Sequence, residues 1–318
     1  MSEGYIYAVY GDVKYLKHAI ASAHTLRRYD SARPIALVCE KKHETFLAEH
    51  GLSNLFSDYA RIDDRHKSIV GFKHNLHQYK VYDKSIFLDS DIIWCKPTDK
   101  LWEELAAYDF TITGNLKADS FFGARKNFGV LLDILQKKRL KTLNHFDLTY
   151  LPRVQSGFVY AADKALTTAV CTQAADYLSR IDETHFVSRL NEKGRNEESC
   201  EWSLAMAMSK LGIAVYPWLQ GLTSIQLDYI SELTKHDASF KNVVCIFYSD
   251  PLIYSFRGIK TKWLMNLFIK IWSSVPGKGD YYLVTPYCLH FGWFHEKKPF
   301  QDFSDACFKD LTMRVTER

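Results

Sequence analysis

Lys84-Ser85-Ile86-Phe87-Leu88-Asp89-Ser90-Asp91-Ile92-Ile93-Trp94 is the stretch whose reading decides the fold. Ile86, Phe87 and Leu88 form an unbroken apolar run of strand length, the pattern of a parallel strand covered on both faces. Two carboxylates, one residue apart, then fall at its C-terminal end. In open α/β sheets that edge is where ligands bind, and two oxygen donors there can hold a divalent cation against a phosphate. An Asp-x-Asp after a strand is equally compatible with a plain Asx turn, so the rest of the chain has to decide.

Upstream, Tyr5-Ile6-Tyr7-Ala8-Val9-Tyr10 reads as a first strand that breaks at Gly11-Asp12. Leu16, Ala19, Ile20, Ala23 and Leu26 recur at helical spacing, and Arg27 and Arg28 close that helix where cations suit its dipole. Pro34 to Cys39 supplies a second strand, which completes a βαβ unit. A second helix is predicted from Lys42 to His50, ended by Gly51, and a third from about Phe72 to Val81, leading into the strand of the aspartates.

Downstream, the pattern predicts a short helix over Thr98 to Leu105, a strand over Phe110 to Gly114, and a strand from Gln155 to Tyr160 followed by helical spacing through Ala165, Val170 and Ala174. Asn196 to Trp202 opens another helix that stops at Gly212, with a strand over Ile213 to Tyr216. Trp263, Leu264, Leu267, Phe268 and Ile271 share one helical face beside a stripe of Lys262, Asn266 and Lys270. That face is expected in the core, with an interfacial membrane role as the alternative. Tyr281 to Cys288 is a last strand-like run, delivering His290-Phe291-Gly292 and then Lys297-Lys298-Pro299-Phe300.

With 318 residues, 47% hydrophobic and 25% charged, the chain can bury a sizeable core and is not disordered. A net charge of +4 is too mild to mark a nucleic-acid binder. Between 122 and 153, however, Arg125, Lys126, Lys137, Lys138, Arg139, Lys141 and Arg153 face only Asp133 and Asp147. This segment reads either as a solvated basic helix or as a site for an anionic acceptor. The seven cysteines are scattered without a Cys-x-x-Cys pair, which argues against zinc and a disulfide framework and for a reducing compartment. There is no basic leader with an apolar core and no run of about 18 apolar residues, so a cytoplasmic location is expected, with peripheral contact at the inner face of a membrane left open.

Ala8-Val9-Tyr10-Gly11-Asp12, Tyr15, Lys73 placed sixteen residues before Asp89, Gln155-Ser156-Gly157, His290-Phe291-Gly292 and Lys298-Pro299-Phe300 occur in an informative order around the two aspartates. Together they resemble glycosyltransferase family 8, the nucleotide-sugar enzymes that include glycogenin and bacterial lipooligosaccharide galactosyltransferases. The resemblance covers residues 5 to 115 well and the remainder in patches. It implies a GT-A fold, an α/β architecture with a Rossmann-like, mainly parallel sheet flanked by helices and a C-terminal acceptor-side extension. Residues 1–115 would form the nucleotide-sugar-binding half, and 116–318 the acceptor-side half with the C-terminal metal and diphosphate motif.

The resemblance further implies a metal-dependent, retaining glycosyltransferase that moves a hexose or pentose from a UDP-sugar to an acceptor hydroxyl. Asp89, Asp91 and His290 would ligate Mn²⁺, with Mg²⁺ as the alternative; an imidazole among hard oxygens favours Mn²⁺. Ala8, Tyr10, Tyr15, Lys73, Asp89, Ser90, Asn115, Ser156, Gly292 and Lys298 are expected against the donor, with Tyr15 on the uracil ring. Glu198 and Gln155 are the polar groups expected at the reacting sugar. Two departures from the family pattern bear on this. The C-terminal motif is about two residues longer and ends on Phe300 in place of tryptophan, so Lys297 competes with Lys298 for the diphosphate. The usual acidic-Gln motif is replaced by Glu197, Glu198 and Glu201. No residue stands out as a nucleophile, so front-face attack by the acceptor is expected. The acceptor could be a phosphorylated lipid, a glycan or a nucleic acid, drawn by the segment 122–153. Two other readings remain: a haloacid-dehalogenase-type phosphatase using Asp89 and Asp91, against which the aspartates follow a complete βαβ unit, and a transferase-like protein that binds nucleotide or carbohydrate without turnover.

Overall fold

The alternation of apolar strands with amphipathic helices takes the expected α/β form. The computed structural model describes residues 2–115, 128–190, 197–217, 225–250, 252–256, 259, 261–292 and 296–316. In chain order these form β1 (Glu3–Val9), α1 (Val13–Arg27), β2 (Ile35–Cys39), α2 (Lys41–Glu49), β3 (Asp58–Arg61), α3 (Ile69–Lys73), β4 (Lys84–Leu88), β5 (Ile92–Trp94), α4 (Asp99–Leu105), β6 (Phe110–Asn115), α5 (Phe128–Leu135), α6 (Lys138–His145), β7 (Arg153–Ala161), α7 (Lys164–Ser179), α8 (Glu201–Lys210) and β8 (Tyr216–Pro217). They continue through β9 (Gln226–Asp228), β10 (Thr234–His236), β11 (Val243–Tyr248), α9 (Leu252–Ser255), α10 (Lys262–Ser273), β12 (Tyr281–Val284), β13 (Cys288–His290) and α11 (Lys298–Thr316). Two compact units result, one of Met1–Leu16, Ala32–Ser90 and Trp102–Pro217, the other of Lys17–Ser31, Asp91–Leu101 and Trp218–Arg318.

The first unit is built on a seven-stranded sheet in the order β3-β2-β1-β4-β7-β6-β8. β3, β2, β1 and β4 run parallel, β7 is antiparallel to both its neighbours, and β8 is parallel to β6. All five residues of β2 are buried, as are Ile86, Phe87 and Leu88 of β4, which is why these strands read as continuous apolar runs instead of alternating ones. The register sets Leu88 opposite Tyr7, so Asp89 emerges at the C-terminal edge of the sheet.

The second unit carries two three-stranded sheets, β5-β13-β9 and β10-β11-β12. Ile93, Leu227, Leu289, Phe291 and Phe300 join one apolar core there, and Ile230, Ile253, Met265 and Ile269 a smaller one. The first of those sheets positions chemistry, because its register aligns His290 with Ile92 on one side and with Asp228 on the other.

Three expectations are corrected. The helix predicted from Phe72 to Val81 is instead the five-residue α3 followed by a 3₁₀ turn at Leu76–Gln78. The Asn75 side-chain amide donates to the Gly71 carbonyl, the acceptor that a continuing helix would give to the Asn75 backbone, and Asn75 N–H turns to Phe72 O instead. The strand predicted from Ile213 to Tyr216 shrinks to Tyr216–Pro217, because Gly212 and Ile213 donate back to Ser209 and Met208 to close α8. The third concerns α10, whose named apolar face does not enter the core: Trp263 is 68% exposed, and Leu267, Phe268 and Ile271 are exposed with it, while Met265 and Ile269 make the buried side. All seven cysteines are buried and unbridged. Among the described residues no helix is long and apolar enough to cross a membrane.

Candidate active site

In the first unit, polar groups gather where β4 ends beside β7. Lys73 closes α3, a helix started by the Ser68 hydroxyl accepting from Gly71 N–H. The residue is carried inward, 4% exposed, and its ammonium lies 2.9 Å from Asp89 Oδ1 and donates to the Ser156 carbonyl at 2.6 Å. Asp89 N–H donates to Gly157 O at 2.9 Å, which ties the carboxylate to β7. A side chain at Gly157 would press on this arrangement, since an added Cβ would stand 3.2 Å from Asp89 Oδ2 and 3.3 Å from Gln155 Oε1. Glu201 opens α8 and takes a long hydrogen bond, 3.4 Å, from Ser156 N–H. Burial holds the Glu201 carboxyl above the ordinary range, the Ser156 N–H and nearby arginines pull it down, and the Asp89 charge pushes it further up. Burial raises the Tyr10 hydroxyl, and the charges of Glu197 and Asp89 push it up further.

In the second unit, Asp91 and His290 face each other, Oδ1 to Nε2, at 3.6 Å. That is too long for a direct hydrogen bond and leaves both atoms able to turn to one cation. His290 is backed by Asp228, whose Oδ1 is 2.9 Å from Nδ1; this pairing places the proton on Nδ1 and leaves the Nε2 lone pair toward Asp91. Burial works to raise the Asp91 carboxyl, but His290 in its doubly protonated form and the Lys297 ammonium prevail and bring it down to about 2. Lys297 Nζ is 2.9 Å from Asp91 Oδ2, and Phe291 N–H donates to the Asp91 carbonyl at 2.9 Å. Gly292 is needed beside the imidazole, because a Cβ there would come 2.4 Å from His290 Cε1. Asp91 with an imidazole whose far nitrogen is already occupied offers an acid oxygen and a nitrogen of the kind a divalent cation takes.

The sequence-predicted residues are thus divided. Lys73, Asp89, Gln155 and Ser156 come together in the first unit, and Asp91, His290 and Gly292 in the second, with Ser90 as the link between the aspartates. Lys297 lies on Asp91, whereas Lys298, at the start of α11, is exposed and pairs with Asp302 at 2.8 Å. Glu198 bonds the Ser188 hydroxyl and Arg189 N–H, and Glu197 accepts from Ile69 N–H at 2.7 Å, so of the three acids Glu201 is the one beside Ser156. Ala8 packs half-buried on β1, Tyr15 is exposed near the start of α1, and Asn115 ends β6 with its side chain outside the described residues. In the basic segment, residues 122–127 lie outside the described ones, and Lys138 is engaged with buried Asp133 at 2.9 Å. Asp228 escaped the sequence reading; its only local signal is an acid ending the short run Gln226-Leu227.

No protein-family model matches the sequence, and no curated protein does. Solved structures do match. A galactosyltransferase, LgtC, crystallised with donor and acceptor sugar analogs, shares 9% identity over 95% of each chain with a TM-score of 0.51. Mouse xyloside xylosyltransferase 1 shares 11% identity over 73% of this chain and 89% of its own, with a TM-score of 0.48. The glycosyltransferase GlyE of Streptococcus pneumoniae shares 11% over 99% of this chain and 64% of its own, also at 0.48. Such identities speak for architecture alone. With its mainly parallel seven-stranded sheet and an acid pair following the central strand β4, the chain has the GT-A fold of the glycosyltransferases.

Proposed function

We propose that this protein is a metal-dependent, retaining glycosyltransferase that moves a hexosyl or pentosyl group from a UDP-sugar to an acceptor hydroxyl. The observation that carries the reading is the Asp91–His290 pair backed by Asp228, which begins two residues beyond Asp89 at the end of β4. Asp91 and His290, joined by Asp89 across the single residue Ser90, would hold Mn²⁺ or Mg²⁺. Bound there, the ion would neutralise charge on the diphosphate as it departs.

The chain's own groups then have separable tasks. Lys73 holds Asp89 in place through their ion pair. Lys297 adds a cation where negative charge accumulates on the leaving group. Ser156 and Gly157 offer a small-residue surface to the sugar, and Glu201, in place of Glu198, is the polar group beside it. The acceptor oxygen attacks the anomeric carbon on the face from which the carbon–oxygen bond to the diphosphate breaks. That bond's electrons leave with the diphosphate, and the acceptor proton passes to one of its oxygens. No protein nucleophile is required, and configuration is retained.

Thermal unfolding with UDP, ADP or GDP, each with and without Mn²⁺, tests the reading, together with nucleotide release from the matching sugars. UDP with Mn²⁺ is expected to raise Tm, since a ligand at about 100 times its Kd adds roughly 2.7 kcal/mol. Free UDP should appear from at least one UDP-sugar. Absence of both effects for every nucleotide would remove the proposal. Nucleotide binding without release would leave a binding protein, and phosphate release from a generic ester without nucleotide would favour the phosphatase.

A further inference from the structure

Helix α10 has three faces where an ordinary amphipathic helix has two. At about 100° per residue, Met265, Ile269 and Trp272 share one direction, and the first two are buried against Ile230, Leu233 and Ile253. Lys262, Asn266 and Lys270 form the polar stripe to one side. Trp263, Leu267 and Ile271 point the opposite way from the buried side, Phe268 flanks them, and all four are exposed, Ile271 by 54%. An exposed apolar face set opposite the core of its own helix is the kind of patch that marks an interaction surface.

We infer that this face seats the protein on an anionic lipid surface. Tryptophan, phenylalanine and aliphatic residues on one side with lysines along the margin are the composition of a helix lying in a membrane interface. From Ile259 to Asp280 the chain holds Lys260, Lys262, Lys270 and Lys278 against the single acid Asp280. Lys262 and Lys278 reach to Glu296 and Asp250 but keep nearly half their side chains in solvent, and Lys270 stands exposed beside the apolar face. A second copy of the chain fits less well, because α10 brings no acid to meet the lysines of its counterpart. This inference is independent of the transferase reading.

The test is sedimentation of the 318-residue chain with vesicles of phosphatidylcholine alone or mixed with phosphatidylglycerol. Binding to the mixed vesicles is expected, weakening as salt is added. Trp263→Ser with Ile271→Ser should lower the partition roughly tenfold or more through lost apolar insertion. Lys270→Gln should lower it about fivefold on the mixed vesicles only. Both variants should keep the wild-type Tm, since the altered side chains are exposed. Failure of the wild type to sediment, or undiminished binding by the double variant, would overturn the inference. So would a concentration-dependent dimer abolished by the same two substitutions, which would assign the face to a second copy.

Discussion

Lys73→Met keeps most of the lysine's length and deletes its charge, while Asp89→Asn deletes the other half of the pair at nearly constant shape. At 2.9 Å two unit charges attract by about 6 kcal/mol at an effective dielectric of about 20, and by about 1.4 kcal/mol in water. The Lys73 side chain is 5% exposed and that of Asp89 36%, so solvent screens one end of the pair and hardly reaches the other. A coupling energy of about 2–3 kcal/mol follows, above a surface pair and below a fully buried one. The two single variants should not cost the same. Asp89→Asn strands a buried ammonium whose remaining partner is the Ser156 carbonyl, whereas Lys73→Met leaves a carboxylate that water can still reach. Asp89→Asn is therefore expected to be the more destabilising, and the double variant to lose less than the sum of the two. Urea unfolding of the four proteins, followed by circular dichroism, measures the cycle. Additivity within about 0.5 kcal/mol would show that the pair is not coupled and that the account of Lys73 as the group fixing Asp89 is mistaken.

Two further outcomes follow from the same geometry. Asp228→Asn removes the carboxylate that sets the His290 tautomer, so Mn²⁺ affinity, measured by titration calorimetry in the presence of UDP, should fall about 10- to 100-fold; an unchanged affinity would take His290 out of the metal site. Glu201→Gln should make the protein more stable than wild type at pH 7.5, with the advantage disappearing as pH falls. The sign follows from a folded carboxyl raised by burial: its favourable neutral form is fully present below the ordinary carboxylate pKa and is lost as pH rises through the folded value. A stability difference independent of pH would mean that Glu201 is not held in a charge-opposing environment.

Legibility in the sequence tracked the range of the interaction concerned. β4 and β2 were readable because strands covered on both faces need every residue apolar, a condition met within the segment itself. The aspartates were placed for the same reason, as the first polar residues after such a run. Lys73 could be named only by its spacing, since its burial depends on Ser156, eighty-three positions away. Asp228 carried no usable signal, because what matters is the parallel register of β9 and β13, and that register brings it to His290 across sixty-two positions. Among the three acids the partners turn on where α8 begins, which the local sequence does not mark: Glu201 opens the helix and its carboxylate meets Ser156, while Glu198 is held by Ser188 and Arg189.

The reading of α10 failed for a different reason, and that reason bears on the membrane inference. Hydrophobic periodicity reports that a face is apolar, and for a helix with one such face burial follows, since little else can cover it. In α10 two apolar sectors lie opposite each other, separated by lysine and asparagine on one side, and one core cannot reach both. Met265 and Ile269 face the small core of Ile230, Leu233 and Ile253, which has room for one sector. Trp272 packs against that core as well, while Trp263, Leu267 and Ile271 are on the face left out. Left bare, that face keeps apolar area in water at a cost of about 25 cal/mol for each Å². An external apolar surface that covers Trp263, Leu267 and Ile271 removes that cost, and the lysine margin selects one carrying negative charge.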